Sequence, residues 1–580
     1  MMTYSFPPPI SVGKGAARIL TFWNIVAALV VLGFLVFLAE AGRGVGQTLA
    51  ELRTTPVSLD PANLPNYAAR TSLRMLAAML LSLLFTFTYA TWAAKSRRAE
   101  VLLIPLLDIL QSVPILGFLS IIVVFFMSLA PGKVLGAEFA AIFAIFTSQA
   151  WNMAFSFYQS LRTLPDELVE ASRCFGLSGW MRFWRLEVPF AMPSLVWNMM
   201  MSMSGGWFFV VASEAISVGD TTVTLPGIGS YIALAIEQRA LGAVGWAIGA
   251  MLIVILIYDQ LLFRPLVAWG DRFRFEQEAG VAPPHSWALT MLRRSWLGNV
   301  LNGLFGHALR WSPLAVLKFR SPDWSGMNRG ELEPWVDRAW YTAAAAIAAL
   351  AFWQVAAFIS AGASISDAKE AILLGLATMA RVFVLIAIAS VIWVPVGVWI
   401  GLRPGMASIA QPIAQFLAAF PANLLFPIVV SAIVALQLDP NIWLSPLMIL
   451  GTQWYILFNV VAGASTLPSE LRNVGTNLRV QGWLWWRKIA LPAIAPFYVT
   501  GAITASGGSW NASIVAEVAS WGNQHLQAKG LGAYIAQATA AGDYHRIVLG
   551  IAVMSGFVII INRAFWRPLY QYAERKFRLS

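Results

Sequence analysis

The chain has 580 residues, of which 58% are hydrophobic and only 12% charged, with a mean hydropathy of +0.68. A charged share near half that of an ordinary soluble domain excludes a disordered chain and argues against a soluble globular enzyme. The formal charge of +11 is scattered as short clusters between long apolar runs, the pattern of a polytopic membrane protein rather than of a nucleic-acid binder. The single Cys174 excludes a disulfide framework and any cysteine-based zinc or iron–sulfur site.

A hydrocarbon core of about 30 Å needs roughly 20 apolar residues in helix. The apolar runs predict twelve spans in two groups of six. The first group falls at 19–39, 71–94, 101–129, 134–159, 190–214 and 243–263. The second falls at 339–361, 371–401, 407–436, 442–463, 493–518 and 546–565. The first run follows Lys14 and Arg18 but is longer than a signal peptide's apolar region of about 7–15 residues, so it reads as an uncleaved span. Every alternate connection is basic, as at Lys95, Arg97 and Arg98, at Arg182 and Arg185, and at Arg487 and Lys488. By the positive-inside rule both termini are expected in the cytoplasm of a multi-pass inner-membrane protein. The expected organisation is a first half at 1–266 (core 60–266), a polar linker at 267–337, also cytoplasmic, and a second half at 338–580 (core 370–580).

The two groups are copies of one another. Thr163-Leu164-Pro165 recurs as Thr466-Leu467-Pro468, an offset of 303 residues. The same offset pairs Glu167 with Glu470, Pro189 with Pro492, Trp207 with Trp510, Glu214 with Glu517, and Tyr231-Ile232-Ala233 with Tyr534-Ile535-Ala536. Upstream the offset becomes 307 and pairs Arg74 with Arg381 and Pro114 with Pro421. Six spans return the chain to its starting side, so the copies have the same orientation. Two parallel halves related by an axis along the membrane normal suit a path between them.

The loop after the fourth span reads Glu170-Ala171-Ser172, three residues, Gly176, nine residues, then Leu186-Glu187-Val188-Pro189. Pro165 and Asp166 can start a short helix over 166–175, since proline suits a first turn and an acid suits its positive end. Gly176 permits the turn that follows. This loop resembles the EAA signature of bacterial ABC-transporter permeases, in which Glu-Ala-Ala and a glycine precede an aliphatic-x-aliphatic-proline run at the same spacing. The resemblance implies an all-α polytopic fold of two parallel six-helix repeats of the MetI-like permease type. It also implies that Glu167, Glu170, Ala171, Ser172, Gly176 and Pro189 belong to a coupling element that docks on an ATPase subunit. The matching positions of the second copy are Glu470, Asn473, Gly475, Arg479 and Pro492. That copy has lost the acid and the turn glycine, and Gly482 is the expected site of a displaced turn.

No Gly-x-x-x-x-Gly-Lys-Ser/Thr phosphate loop, His-Glu-x-x-His or Gly-x-Ser-x-Gly run occurs. His285 and His307 fall in the linker, while His525 and His545 lack counterparts in the first half. They read as surface residues, and no metal ligand set is expected. The fifth span of each half carries small residues and then an acid: Ser204-Gly205-Gly206-Trp207 with Ser213-Glu214, and Ser506-Gly507-Gly508 with Trp510, Asn511 and Glu517. Small residues allow close helix approach or unwinding. An acid at depth faces a cavity or a partner. Two readings stand for Glu214, Glu517, Arg74 and Arg381: they line a path or gate, or they pair to hold the bundle.

The order small-Gly-Trp, Ala/Ser-Glu, then Gly-x-Gly-x-Tyr-Ile resembles permeases of the nitrate, sulfonate and bicarbonate class. Fusion of both halves in one chain is similar to iron and thiamine permeases. The resemblance implies a non-enzymatic importer subunit that passes a small solute and works with two ATPase copies and an extracytoplasmic solute-binding protein. It implies no cofactor in this chain, with ATP and magnesium on the ATPase partner, and no nucleic-acid partner. The competing expectation is an ion-gradient-driven secondary transporter using Glu214 and Glu517.

Overall fold

The computed structural model describes residues 57–218, 221–270, 286–295, 329–465 and 477–577 except 523, with isolated residues elsewhere. The expected span at 19–39, the linker at 267–337, Glu470, His285 and His307 lie wholly or largely outside the described residues.

The first half runs through α1 (Leu64–Phe85, continued by a π turn to Lys95), α2 (Arg97–Ser112), α3 (Ile115–Leu129), α4 (Val134–Arg162), α5 (Asp166–Cys174) and α6 (Val188–Glu214). A hairpin of β1 (Ala215–Val218) and β2 (Thr221–Thr224) follows, then α7 (Ile228–Glu237) and α8 (Leu241–Tyr258). After α9 (Arg329–Gly362) the second half repeats this order. It comprises α10 (Ile365–Gly401), α11 (Pro404–Ala419), α12 (Phe426–Ala435), α13 (Gln453–Ser465), α14 (Leu491–Ala516), a hairpin of β3 (Val518–Trp521) and β4 (Gln524–Gln527), α15 (Leu531–Ala540) and α16 (Tyr544–Ile561).

The all-α polytopic reading holds, while a count of exactly twelve spans is not reached among the described residues. Among the described residues eight helices are long and apolar enough to cross a bilayer, or ten if each of two bent pairs is one span. The expected span at 101–129 is α2 and α3, bent by 90°. The one at 407–436 is two shorter helices, α11 and α12. Both breaks fall at the repeated proline. Val113 has ψ 128° and Phe420 ψ 127°, because the ring of Pro114 or Pro421 bars the preceding residue from helical geometry. The span at 442–463 bends by 44° between a 440–448 segment and α13. Its counterpart α4 is unbroken over 29 residues. The bend falls at 449–452, past Pro440 and Pro446 of the short segment, whereas α4 contains no proline. The antiparallel hairpins were not anticipated. Their registers, Ala215 with Thr224 and Val518 with Gln527, obey the 303 offset.

The halves interlock. Beyond its proline break, α3 packs on α14 and α16 of the second half, while α11 packs on α6 of the first. One buried cluster therefore joins Leu116, Ile122 and Phe209 to Trp510 and Met554. Another joins Met75, Trp207 and Met251 to Leu424. Helix α9 stands apart, with none of its apolar window from Arg338 to Gly362 buried. It meets α16 where His545 Nδ1 lies 2.8 Å from the Phe358 carbonyl and the two rings stack at 4.4 Å.

Candidate functional site

Helix α6 has 27 residues and so runs about 40 Å from the loop that contains α5 to the hairpin end. It ends at Glu214, which is fully buried. Glu214 Oε1 accepts from Arg74 Nη1 at 2.7 Å and from Thr71 Oγ1 at 2.7 Å, and Oε2 accepts from the Gly229 amide at 2.6 Å. That amide is one of the donors a helix start leaves without an internal partner, and an anion suits the positive end of α7. The second half repeats the clamp. Glu517 Oε1 accepts from Thr378 Oγ1 at 2.8 Å and Arg381 Nη1 at 3.0 Å, and Oε2 from the Ala533 amide at 3.1 Å. The threonines bond onward, accepting from the Ile228 amide at 3.1 Å and the Leu531 amide at 2.9 Å. The clamp also explains the first glycine of each Gly-x-Gly. A Cβ on Gly227 would lie 2.3 Å from the Glu214 carboxyl carbon, and one on Gly530 would lie 2.2 Å from a Glu517 oxygen.

The first clamp has a third member that the sequence reading missed. Glu138, in α4, takes two bonds of 2.6 Å from Arg74. Its signal was an acid inside an apolar span. The offset places Asn441 at the equivalent position, where Oδ1 accepts from the Lys529 amide at 2.9 Å instead. The first clamp thus holds one cation and two carboxylates, the second one of each.

At the loop end, Asp166 and Glu167 occupy the first turn of α5 behind Pro165. Gly176 closes the helix with φ +65°, and the Leu177 amide bonds the Ser172 carbonyl at 3.1 Å, a Schellman closure. Glu167, Glu170 and Gly176 are exposed, Ala171 is half-buried, and Ser172 is buried with its hydroxyl on the Val169 carbonyl at 2.6 Å. The displaced turn expected at Gly482 is corrected. Arg479, at the position of Gly176, itself adopts φ +52°, and the Val480 amide bonds the Gly475 carbonyl at 2.8 Å. The closure is retained at the cost of a left-handed arginine, and Gly482 adds a positive φ of its own at +57°. Asn473 is exposed and Gly475 buried. Pro189 and Pro492 stand in the first turns of α6 and α14. The first loop is tied by charge to the end of α1: Glu187 pairs with Lys95 at 2.7 Å and with Arg182 at 3.0 Å. The offsets put Ala490, Leu402 and Trp485 at those positions.

Between the halves lies a cavity of about 320 Å³. Asn152 and Ser204 from the first half and Tyr455, Thr504, Trp510 and Asn511 from the second contribute to its wall. Among the described residues, no charged side chain lines it. Asn511 Oδ1 also accepts from the Ile115 amide at 2.7 Å, so it holds the start of α3 across the interface. Trp207 lines a separate groove of about 280 Å³ and meets Tyr258 edge-on at 5.2 Å. Ser213 is buried against the Val210 carbonyl at 3.0 Å. None of the three glutamates and neither arginine of the clamps lines the cavity or the groove. Helices α6 and α14 run unbroken through their glycines, which serve close approach. A Cβ on Gly206 would lie 2.5 Å from Gln149 Nε2, and one on Gly508 2.4 Å from Thr452 Cγ2.

Two sets of interlocked helices in one repeated order, with an exposed loop helix in the first, the same loop closure at Arg479 in the second and a cavity between the sets, define a membrane permease architecture. The chain belongs to the family of binding-protein-dependent transport system inner membrane components, whose model matches it twice, over residues 82–264 and 393–578. It is 29% identical over 188 residues to the bicarbonate transport system permease protein CmpB of Synechococcus elongatus, covering 32% of this chain and 64% of that protein. It is 27% identical over 202 residues to the nitrate import permease protein NrtB of Synechocystis, covering 34% and 70%. It is 28% identical over 220 residues to the glycine betaine/proline betaine permease protein ProW of Escherichia coli, covering 38% and 57%. The match thus spans less than two thirds of the bicarbonate and betaine permeases.

Proposed function

We propose that this chain is the transmembrane subunit of an ATP-driven importer, with both permease halves in one polypeptide and no catalysis of its own. The observation that carries this reading is the Schellman-closed loop helix α5, with the same closure at Arg479 in the second copy, together with the uncharged cavity between the sets. In this reading the exposed faces of α5 and of its counterpart, with Glu167, Glu170, Asn473 and Arg479, receive two copies of an ATPase. Loop, linker and both termini face the cytoplasm. The hairpin end receives a solute-binding protein. The solute passes through the cavity lined by Trp510 and Asn511. The clamps of Glu214 with Arg74 and of Glu517 with Arg381 set the short helices α7 and α15 at the outer end, so they shape the gate and do not touch the solute. The functions named for the relatives make bicarbonate, nitrate and betaines the solutes to try first.

The test is co-purification of the tagged chain from its native membrane, then reconstitution with the ATPase that accompanies it. ATP-dependent uptake of nitrate, bicarbonate or glycine betaine, abolished by removing the ATPase, is the expected result. Proton-driven uptake without any ATPase would overturn it.

A further inference from the structure

The cavity and the groove are the same feature in two states. Applying the 303 offset to the groove residues Met201, Met203, Ser204, Trp207, Asp259 and Phe263 gives Thr504, Ser506, Gly507, Trp510, Asn562 and Trp566, all on the wall of the central cavity. The second half's groove is therefore open to the centre, and the first half's is a separate compartment. Three substitutions account for the difference. Ser204 donates to the Ala418 carbonyl, and both residues line both compartments, so this bond is the partition. Gly507 stands opposite with no side chain, and a Cβ there would meet nothing within 4 Å. Met203, 2% exposed, fills the space that Ser506 leaves. At the loop end of the groove Asp259 pairs with Arg264 at 3.0 Å, where the second half has the uncharged Asn562.

We propose that the route to the loop end is one-sided. It descends along the second half, past Ser506, Gly507, Thr504 and Asn562, and the first half's groove carries no solute. The lining agrees: hydroxyl, amide and glycine surface of the second half along the cavity, against a groove walled by Met200, Met201 and Met203 of the first half together with Phe416 and Phe458 of the second. A hydrated polar solute finds hydrogen-bond partners along the cavity, whereas the groove's Asp259 and Arg264 are paired with each other and transfer onto its mostly apolar wall is costly. The inference rests on the transport reading above. It names Ser204 and Gly507 as the pair that decides the side.

The test uses the full chain with Cys174, free and exposed, replaced by serine. Thr504→Cys and Met201→Cys, one offset apart, are each placed in that background. The complex with its ATPase is set in nanodiscs, which leave both faces open, and treated with a membrane-impermeant, charged methanethiosulfonate. Thr504→Cys is expected to react many-fold faster than Met201→Cys. Comparable rates, or a faster Met201→Cys, overturn the one-sided route whatever the transport result. In proteoliposomes, Gly507→Leu is expected to lose most ATP-driven uptake of whichever probe is carried (nitrate, bicarbonate or glycine betaine), with Met201→Phe near wild type. The reverse pattern also overturns the route. A wild-type complex that imports none of the three counts against the transport reading, while the labelling ratio still decides the side.

Discussion

Replacing Glu214 or Glu517 by glutamine removes one charge from each clamp, and the structure gives the two changes different costs. Both variants lose the same interaction at the short-helix start, the bond from Gly229 or Ala533. The difference therefore isolates the arginines. After Glu214→Gln, Arg74 keeps both 2.6 Å bonds to Glu138, and the loss is that of a charged hydrogen bond, about 1.5–3 kcal/mol. After Glu517→Gln, Arg381 has no carboxylate left among the described residues, and an orphaned buried charge costs about 3–5 kcal/mol. The Arg381 side chain is 16% exposed against 3% for Arg74, which moves the second figure toward its lower end. Glu517→Gln is thus expected to be the more destabilising by roughly 1–2 kcal/mol. The assay is unfolding of the purified full chain in mixed micelles under increasing denaturing detergent, read at matched protein concentration. Arg381→Met combined with Glu517→Leu should recover most of the loss, because an apolar pair replaces a buried ion pair at little cost. Equal losses in the single variants, or a larger loss from Glu214→Gln, would refute the reasoning.

Gly176→Trp or Glu170→Lys should abolish ATP-driven uptake while the chain still inserts, checked by membrane fractionation beside transport. Equal loss from Asn473→Lys would show that the second loop docks as the first does, and wild-type transport in all three would sink the coupling assignment. Arg479→Gly should stabilise the second loop by about 1 kcal/mol, since glycine takes a left-handed φ without the side-chain penalty, and slower proteolysis of that loop would report it. Gly530→Ala should displace Glu517 from the start of α15 and lower the unfolding midpoint by an amount similar to Glu517→Gln. A neutral outcome would mean that the glycine is not there for the carboxylate.

Much of this was legible in the residues. The duplication could be read from two offsets, 303 and 307, and between them they carry over to helices, hairpins and clamps alike. The loop helix over 166–175 needed only a proline, an acid and a glycine, and it is observed as Asp166–Cys174. Pairing of Glu214 with Arg74 was one of two readings, since a buried acid demands a counter-charge but does not say which. Glu138 escaped because it has no partner at either offset, so the comparison that exposed the others passed over it. The hairpins escaped because four-residue strands lie at the lower limit at which alternation is readable. The broken spans escaped because hydropathy sums over a proline without registering the bend. Arg479 shows the opposite failure: the turn was expected to move with its glycine, yet the six-to-one closure held it in place.

The bond from the Ile115 amide to Asn511 has a further implication. The offset counterpart of Asn511 is Phe208, and on that side the contact is made by Asn423 Nδ2 donating to the Phe208 carbonyl at 3.1 Å. Two identical half-size subunits could not divide the work in this way, because every substitution would be installed on both sides at once. Covalent linkage frees each side to specialise. One can be stiffened at Ser204 while the other is widened at Gly507, without any contact having to suit two positions.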